Sequence, residues 1–255
     1  MNYIGSKFTL SSFLEENIKQ TLKENNSKPL SENIFCDLFT GTAAVSKTFK
    51  NQVNKIIAND KEYYSFVLAK NYIGNNKILK RKNQLIDLLN NIKQSAQKEI
   101  ILKPAEFDCG NTKSVIFNED ANNLITKIKG DILYLDPPYN SREYGANYHL
   151  LNTIALYDDF NPKGKTGLRE YDKSNWCKKD KVYKELETLI KNANFKFIFL
   201  SYNDEGLLSL KQIKEIFESQ GKYSLKNKIY KRFKADNNRF NKKDETTEYL
   251  HILIK

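Results

Sequence analysis

Asp136, Pro137, Pro138 and Tyr139 follow directly on an apolar run, 131–135, and bring together a carboxylate, a rigid backbone and an aromatic ring. Two successive prolines fix φ twice and remove two N–H donors, so the carbonyl of Pro137 stays out of any helix and points into a cleft. A loop of this kind presents hydrogen-bond acceptors to an amine. With an ordinary carboxylate pKa of about 3.9, Asp136 is expected to be ionised at neutral pH and ready to take a proton. A cationic group nearby would lower it further. The simpler use of the same residues is a turn that closes a buried strand, and the rest of the chain decides between the two.

The elements that must position this loop are readable from periodicity. Residues 34–39 form a buried strand, Thr40, Gly41 and Thr42 a tight turn, and 43–50 a helix with Ala44, Val45 and Phe49 on its apolar side. Gly41 lets backbone approach a ligand, and the helix start offers free N–H groups. A second short strand, 55–58, ends in Asn59 and Asp60, about 20 residues past the glycine turn, where an acidic side chain can take two ribose hydroxyls. Asp60 can also cap a helix at 63–72. Near the N-terminus, Ser6 caps an amphipathic run with Phe8, Phe13, Leu14, Ile18 and Leu22 on one side. A further core strand, 195–200, ends in Ser201, Tyr202 and Asn203. Strands alternate with helices from 34 to 220, which predicts a mostly parallel sheet covered on both faces, and 222–233 and 246–254 pair as an antiparallel hairpin. A chain of 255 residues without a Ser/Pro-rich linker allows one α/β domain, 1–255, with room for small insertions within 75–113 and 141–180.

An exocyclic base amine is a poor nucleophile because its lone pair is conjugated into the ring. Asp136 and the Pro137 carbonyl can accept its N–H bonds, while Tyr139 offers a flat face to a base turned out of its stack. The quartet resembles the catalytic loop of S-adenosylmethionine-dependent amino methyltransferases, and its Asp-first form is similar to that of the DNA adenine-N6 enzymes. The segment from Asp37 to Gly41 resembles their cofactor motif, with Ala43 where the family's second glycine stands. Tyr3 to Lys7 resembles the opening motif of the Dam-like D12 class, and the order of motifs is its α-type arrangement. A dinucleotide fold would need Gly-x-Gly-x-x-Gly, of which one glycine is present.

The resemblance implies a Rossmann-like methyltransferase fold with a seven-stranded sheet, and S-adenosylmethionine as cofactor. It implies cofactor contacts from Tyr3, Lys7, Asp37, Phe39, Gly41, Asp60, Asp120 and Asp136, with Lys7 on the amino-acid carboxylate and Asp120 at the end of a third strand, 115–120. Ser201, Tyr202 and Asn203 would line the target-base pocket with Tyr139. The implied reaction is in-line methylation of a flipped adenine in a specific DNA sequence, as the modification enzyme of a restriction-modification system with a possible cognate endonuclease. Cytosine-N4 or RNA amino methylation, or a catalytically silent DNA-binding module, are the alternatives.

Net charge is +11 with an isoelectric point near 9.3, which favours a polyanionic partner. Basic residues gather with aromatics in 141–181, through Arg142, Tyr144, Lys165, Arg169, Trp176, Lys178 and Lys179, and in 226–243, through Arg232, Lys234 and Arg239. Lys and Arg neutralise phosphates while aromatics stack on bases, so both connections are expected to contact double-stranded DNA. Cys36, Cys109 and Cys177 are too dispersed for a disulfide framework or zinc cluster, and no metal is expected. The absence of a Pro-Cys nucleophile argues against cytosine C5 methylation. No run approaches the roughly 18 apolar residues of a membrane span and no signal peptide is visible, so a soluble cytoplasmic protein is expected.

Overall fold

A computed structural model describes residues 6–75, 81, 83–84, 87, 112–231 and 245–255. Tyr3, Arg232, Lys234, Arg239 and nearly all of the expected insertion at 75–113 lie outside the described residues. The strands are β1 (Ile34–Asp37), β2 (Lys55–Asn59), β3 (Lys113–Phe117), β4 (Lys129–Leu135), β5 (Asn194–Asn203), β6 (Lys222–Lys231) and β7 (Glu245–Ile254). They form one seven-stranded sheet in the order β3-β2-β1-β4-β5-β7-β6. Strands β1 to β5 run parallel, whereas β7 runs antiparallel to both of its neighbours. The expected antiparallel pairing of the last two strands is present, with β7 as the inner strand, between β5 and β6.

Described helices are α1 (Ser11–Glu24), α2 (Ala44–Phe49), α3 (Tyr63–Ala69), α4 (Ala121–Leu124), α5 (Tyr144–Asn147), α6 (His149–Leu156), α7 (Val182–Asn192) and α8 (Leu210–Glu218). Side chains of each strand alternate between two cores. Phe35, Ile56, Ile132, Tyr134, Phe197 and Phe199 pack with Leu14, Ile18 and Leu22 of α1 and Phe49 of α2. Cys36, Leu133, Leu135, Ile198 and Leu200 pack on the other face with Leu186, Leu189 and Ile190 of α7 and Ile213 and Phe217 of α8. Burial on both faces is why these strands read as unbroken apolar runs. Each fully buried Leu, Ile or Phe contributes about 1.5–3 kcal/mol of transfer free energy.

One expectation about the amphipathic N-terminal run is overturned. A short 3-10 turn, Lys7–Leu10, precedes α1, with the Ser6 hydroxyl accepting from the Phe8 N–H at 3.4 Å. Three residues per turn shift the phase of the face relative to an α-helix. Phe8 is consequently 78% exposed, and Lys7 is carried inward to 7%. The helix at 63–72 is also modified: α3 gives way to a π-helical stretch over Lys70–Gly74.

The chain leaves β1 toward β2 on one side and β4 lies on the other, so the strand order reverses between β1 and β4. In open α/β sheets the crevice beyond the carboxyl ends of such a strand pair is the ligand site.

Candidate active site

A cavity lies at those strand ends, where open α/β sheets take small-molecule ligands. Lys7, Asp37, Phe39, Gly41, Asp60, Asp120 and Asp136 all line it, so residues far apart in sequence converge on one space.

The glycine turn is built around Asp60. Gly41 has φ +54°, and its N–H donates to Asp60 Oδ2 at 2.8 Å, while Asp60 Oδ1 accepts from the Glu62 N–H at 2.9 Å. Asp60 therefore braces the turn; the residue that precedes α3 as its cap is Glu62. Ala43, where the family carries its second glycine, has φ +61° and keeps the left-handed conformation despite its Cβ, at a cost of about 1 kcal/mol. Asp37 is fully enclosed. Its Oδ2 accepts from Ser46 Oγ at 2.7 Å, and its Oδ1 has no hydrogen-bond partner among the described residues. Burial pushes this carboxyl up to about 7, against the pull of Ser46. Asp120 caps α4, its Oδ1 accepting from the N–H groups of Asn122 and Asn123.

At the tip of β4 the Asp136 side chain is 18% exposed, and Lys7 Nζ lies 3.0 Å from its Oδ1. The same ammonium lies 2.9 Å from Oε1 of Glu248, a fully buried residue on β7. Glu248 Oε1 also accepts from Ser201 Oγ at 2.7 Å, and Oε2 from the Tyr230 hydroxyl at 3.4 Å. The expectation of an ordinary or lowered Asp136 pKa is overturned. Burial pushes it up to about 6; Lys7 draws it back in part, and Glu248 raises it further. Burial also works against the charge of Lys7, yet Asp136 and Glu248 together hold the ammonium well above its ordinary range. Asp136 thus remains mostly ionised at neutral pH while lying close enough to neutrality to exchange a proton.

The three residues expected in the target-base pocket all make internal hydrogen bonds, and one of them, Tyr202, reaches the Asp136–Tyr139 loop. Ser201 is turned toward Glu248, and Asn203 Oδ1 accepts from the Glu205 N–H at 3.1 Å. Tyr202 is buried, with its hydroxyl accepting from the Leu208 N–H at 3.3 Å and lying 3.5 Å from the Tyr139 carbonyl, which also accepts from the Leu207 N–H at 2.8 Å. Gly206 makes this packing possible, since a Cβ there would stand 2.0 Å from the Tyr202 ring.

The first basic connection divides into two sets. Arg142, Lys165 and Lys179 are exposed. Arg169 is instead 9% exposed; its guanidinium bonds both oxygens of Asp158 at 3.1 and 2.9 Å and lies over the Phe160 ring. Trp176 is buried edge-on against Phe39 at 5.1 Å, forming cavity wall, and Tyr144 lines the same space. Lys178 Nζ donates to Asn175 Oδ1 at 3.2 Å. Glu248 was absent from the expected site although a signal exists: it shares the inward period of Thr246, Leu250 and Ile252, all buried. Among the described residues no His, Cys, Asp and Glu cluster is placed to hold a metal, and no helix is long and apolar enough to cross a membrane.

The chain is 44% identical to the Type II methyltransferase M.NlaIII of Neisseria lactamica, over all of this chain and 99% of that protein. The alignment has 336 positions, more than the 255 residues of the chain, so parts of that relative have no counterpart here. It is 30% identical to the Type II methyltransferase M.FokI of Planomicrobium okeanokoites over its full length, covering 53% of that protein. Among solved structures it is similar to magnesium protoporphyrin IX methyltransferase (ChlM) from Synechocystis PCC 6803, with a TM-score of 0.46 and 10% identity over 96% of this chain and 79% of that one. The family described as D12 class N6 adenine-specific DNA methyltransferase matches residues 3–99 and 87–232. With most of its length matched, the chain belongs to the D12 class of N6 adenine-specific DNA methyltransferases.

Proposed function

We propose that the cavity binds S-adenosylmethionine, and that Asp136 and the Pro137 carbonyl receive N6 of an adenine turned out of duplex DNA. The residues present fit the cofactor. The unpartnered Oδ1 of Asp37 is a buried acceptor suited to an ammonium, and Asp60 retains lone pairs for ribose hydroxyls after accepting two backbone N–H groups. Lys7 lines the cavity with its ammonium held by Asp136 and Glu248, Phe39 and Trp176 form an apolar wall for a base, and Asp120 also lines the space. S-adenosylmethionine, when bound, supplies a methyl carbon activated by positively charged sulfur.

The chain's own part is alignment and proton handling. Asp136 accepts a hydrogen bond from one N6–H and the Pro137 carbonyl from the other, keeping the nitrogen lone pair out of conjugation. No hydrogen bond among the described residues uses that carbonyl. The Tyr139 ring supports the extruded base. What carries the reading is that Asp136, with its pKa near 6, lines the same cavity as Asp37, Asp60 and Gly41.

By its similarity to M.NlaIII, the protein is proposed to be the modification enzyme of a type II system, methylating a specific sequence in the cytoplasm beside a cognate endonuclease. One catalytic domain, 1–255, would carry target-reading pieces within 75–113 and 141–180, with Arg142, Lys165 and Lys179 on DNA phosphates. The test is to incubate purified protein with labelled S-adenosylmethionine and mixed-sequence duplex DNA, digest to nucleosides, and identify the product by mass spectrometry. N6-methyladenine is expected, and Asp136→Asn should lower the rate by about 10²–10³. Label on cytosine or RNA alone, or undiminished methylation by Asp136→Asn, overturns the reading.

A further inference from the structure

We infer that Glu248 is a positioning residue of the methyl transfer: it is the permanent counter-ion of Lys7, and lets Asp136 change protonation during turnover without leaving a buried cation unpaired. The inference rests on the reading of Asp136 as the proton acceptor.

The two carboxylates that share Lys7 differ in kind. Glu248 is fully buried and receives donors from Lys7, Ser201 and Tyr230. A buried carboxylate keeps its charge when its oxygens are supplied in this way. Asp136 has Lys7 as its side-chain ion partner and keeps a face toward the cavity. One carboxylate is therefore closed around the ammonium and the other is open to substrate.

As the N6 lone pair forms the new N–C bond, the electrons of the broken S–C bond stay on sulfur and the nitrogen sheds a proton. Asp136 takes it and becomes neutral. Lys7 would then be an uncompensated buried cation, which proteins tolerate poorly. Glu248 remains beside it, so the ammonium keeps its place until Asp136 releases the proton to solvent. The ionisable groups facing Asp136 are Lys7, Glu248, Asp37 on β1, Asp60 beyond β2, Tyr134 on β4, and Tyr139 and Tyr144 on the segment that follows. Of these, Asp136 and Glu248 hold Lys7 in an ion pair. The charge of Glu248 opposes the pull of Lys7 on Asp136, so its removal should lower the Asp136 pKa.

Glu248→Gln keeps the shape and removes the charge. Two readouts are needed: titration of the Asp136 carboxyl in cofactor-free protein by NMR of carbon-13-labelled aspartate, assigned with Asp136→Asn, and the pH dependence of single-turnover methylation. Glu248→Gln is expected to titrate Asp136 at lower pH, shift the acid limb of the rate profile down with it, and slow methylation by about 10²-fold. KM for S-adenosylmethionine should stay within about threefold, as for a residue that acts on the chemical step. An Asp136 titration and a rate unchanged from the parent overturn the inference. Should Glu248→Gln not fold, Ser201→Ala removes one donor and leaves more of the Glu248 charge facing Asp136. Asp136 should then titrate higher, and an unmoved titration overturns the inference equally. The two readings separate in Asp136→Asn: full activity there refutes the proton-acceptor role itself, whereas an inactive Asp136→Asn beside an unaffected Glu248→Gln refutes the role of Glu248 alone.

Discussion

Lys7→Met replaces the ammonium with an uncharged chain of similar reach, and the structure sets the size of the effect. Unit charges 3.0 Å apart interact by roughly 5 kcal/mol at an effective dielectric of about 20. The Asp136 side chain is 18% exposed, so solvent screening raises the effective dielectric and leaves about half of this, and about 1.4 kcal/mol corresponds to one pH unit. The Asp136 pKa, already about 6, should rise by about two pH units. At pH 7 the ionised fraction then falls from roughly nine-tenths to roughly one-tenth, and methylation slows about tenfold from protonation alone. The assay is single-turnover methylation of duplex DNA from pH 5.5 to pH 9.5 at saturating S-adenosylmethionine, so that weaker cofactor binding does not enter. The acid limb should move to higher pH, with most of the lost rate recovered near pH 9. An acid limb that stays in place, or a deficit equal at every pH, would refute Lys7 as the group that keeps Asp136 ionised.

The buried carboxylate of Asp37 gives a stability prediction with a definite sign. Its pKa rises from 3.8 unfolded to about 7 folded, so the folded state holds the proton more tightly. The resulting stability is complete below about pH 3.8 and is lost as pH rises through about 7, by at most roughly 4 kcal/mol. Cofactor-free protein should therefore lose stability to urea between pH 5 and pH 8, and Asp37→Asn should flatten that part of the profile; parallel profiles would count against it. For DNA binding, the double variant Lys165→Ala and Lys179→Ala should make the slope of log affinity against log salt shallower by about 2. Arg169→Ala should leave that slope unchanged and lower the Tm, because its charge is already engaged by Asp158; a shallower slope in Arg169→Ala would show the guanidinium reaching phosphate.

The parts of the molecule legible in sequence are those whose physics is local. Strand β1 and strand β4 are covered on both faces and so appear as apolar runs, and Gly41 marks the turn between strand and helix. Asp60 follows at the spacing the crossover dictates. Quantities set by tertiary surroundings were not legible in the same way. A glutamate in a strand reads as solvent-facing, and only its phase with Leu250 and Ile252 places Glu248 inside. Lys7 points inward because a 3-10 turn shifts the register of its helix, which no 3.6-residue periodicity reveals. The raised pKa of Asp136 is a product of burial, so the four residues of its loop could not show it. Arg169 counted toward a basic connection until Asp158, eleven residues earlier, proved to hold its charge.

The position of β7 between β5 and β6 bears on how the enzyme comes into being. The ion cluster draws on Lys7, Asp136 and Glu248, so its closure belongs to contacts of very long sequence separation, which form slowly relative to local ones. A domain generally folds as a unit, and the parallel strands β1 to β5 are all made before Glu248, the second carboxylate on Lys7. Until β7 slides in, β5 is an open edge carrying Ser201 without its carboxylate partner, and β6 has no ladder on that side. A nascent chain can therefore carry the glycine turn and the Asp136–Tyr139 loop before Lys7 has its second carboxylate.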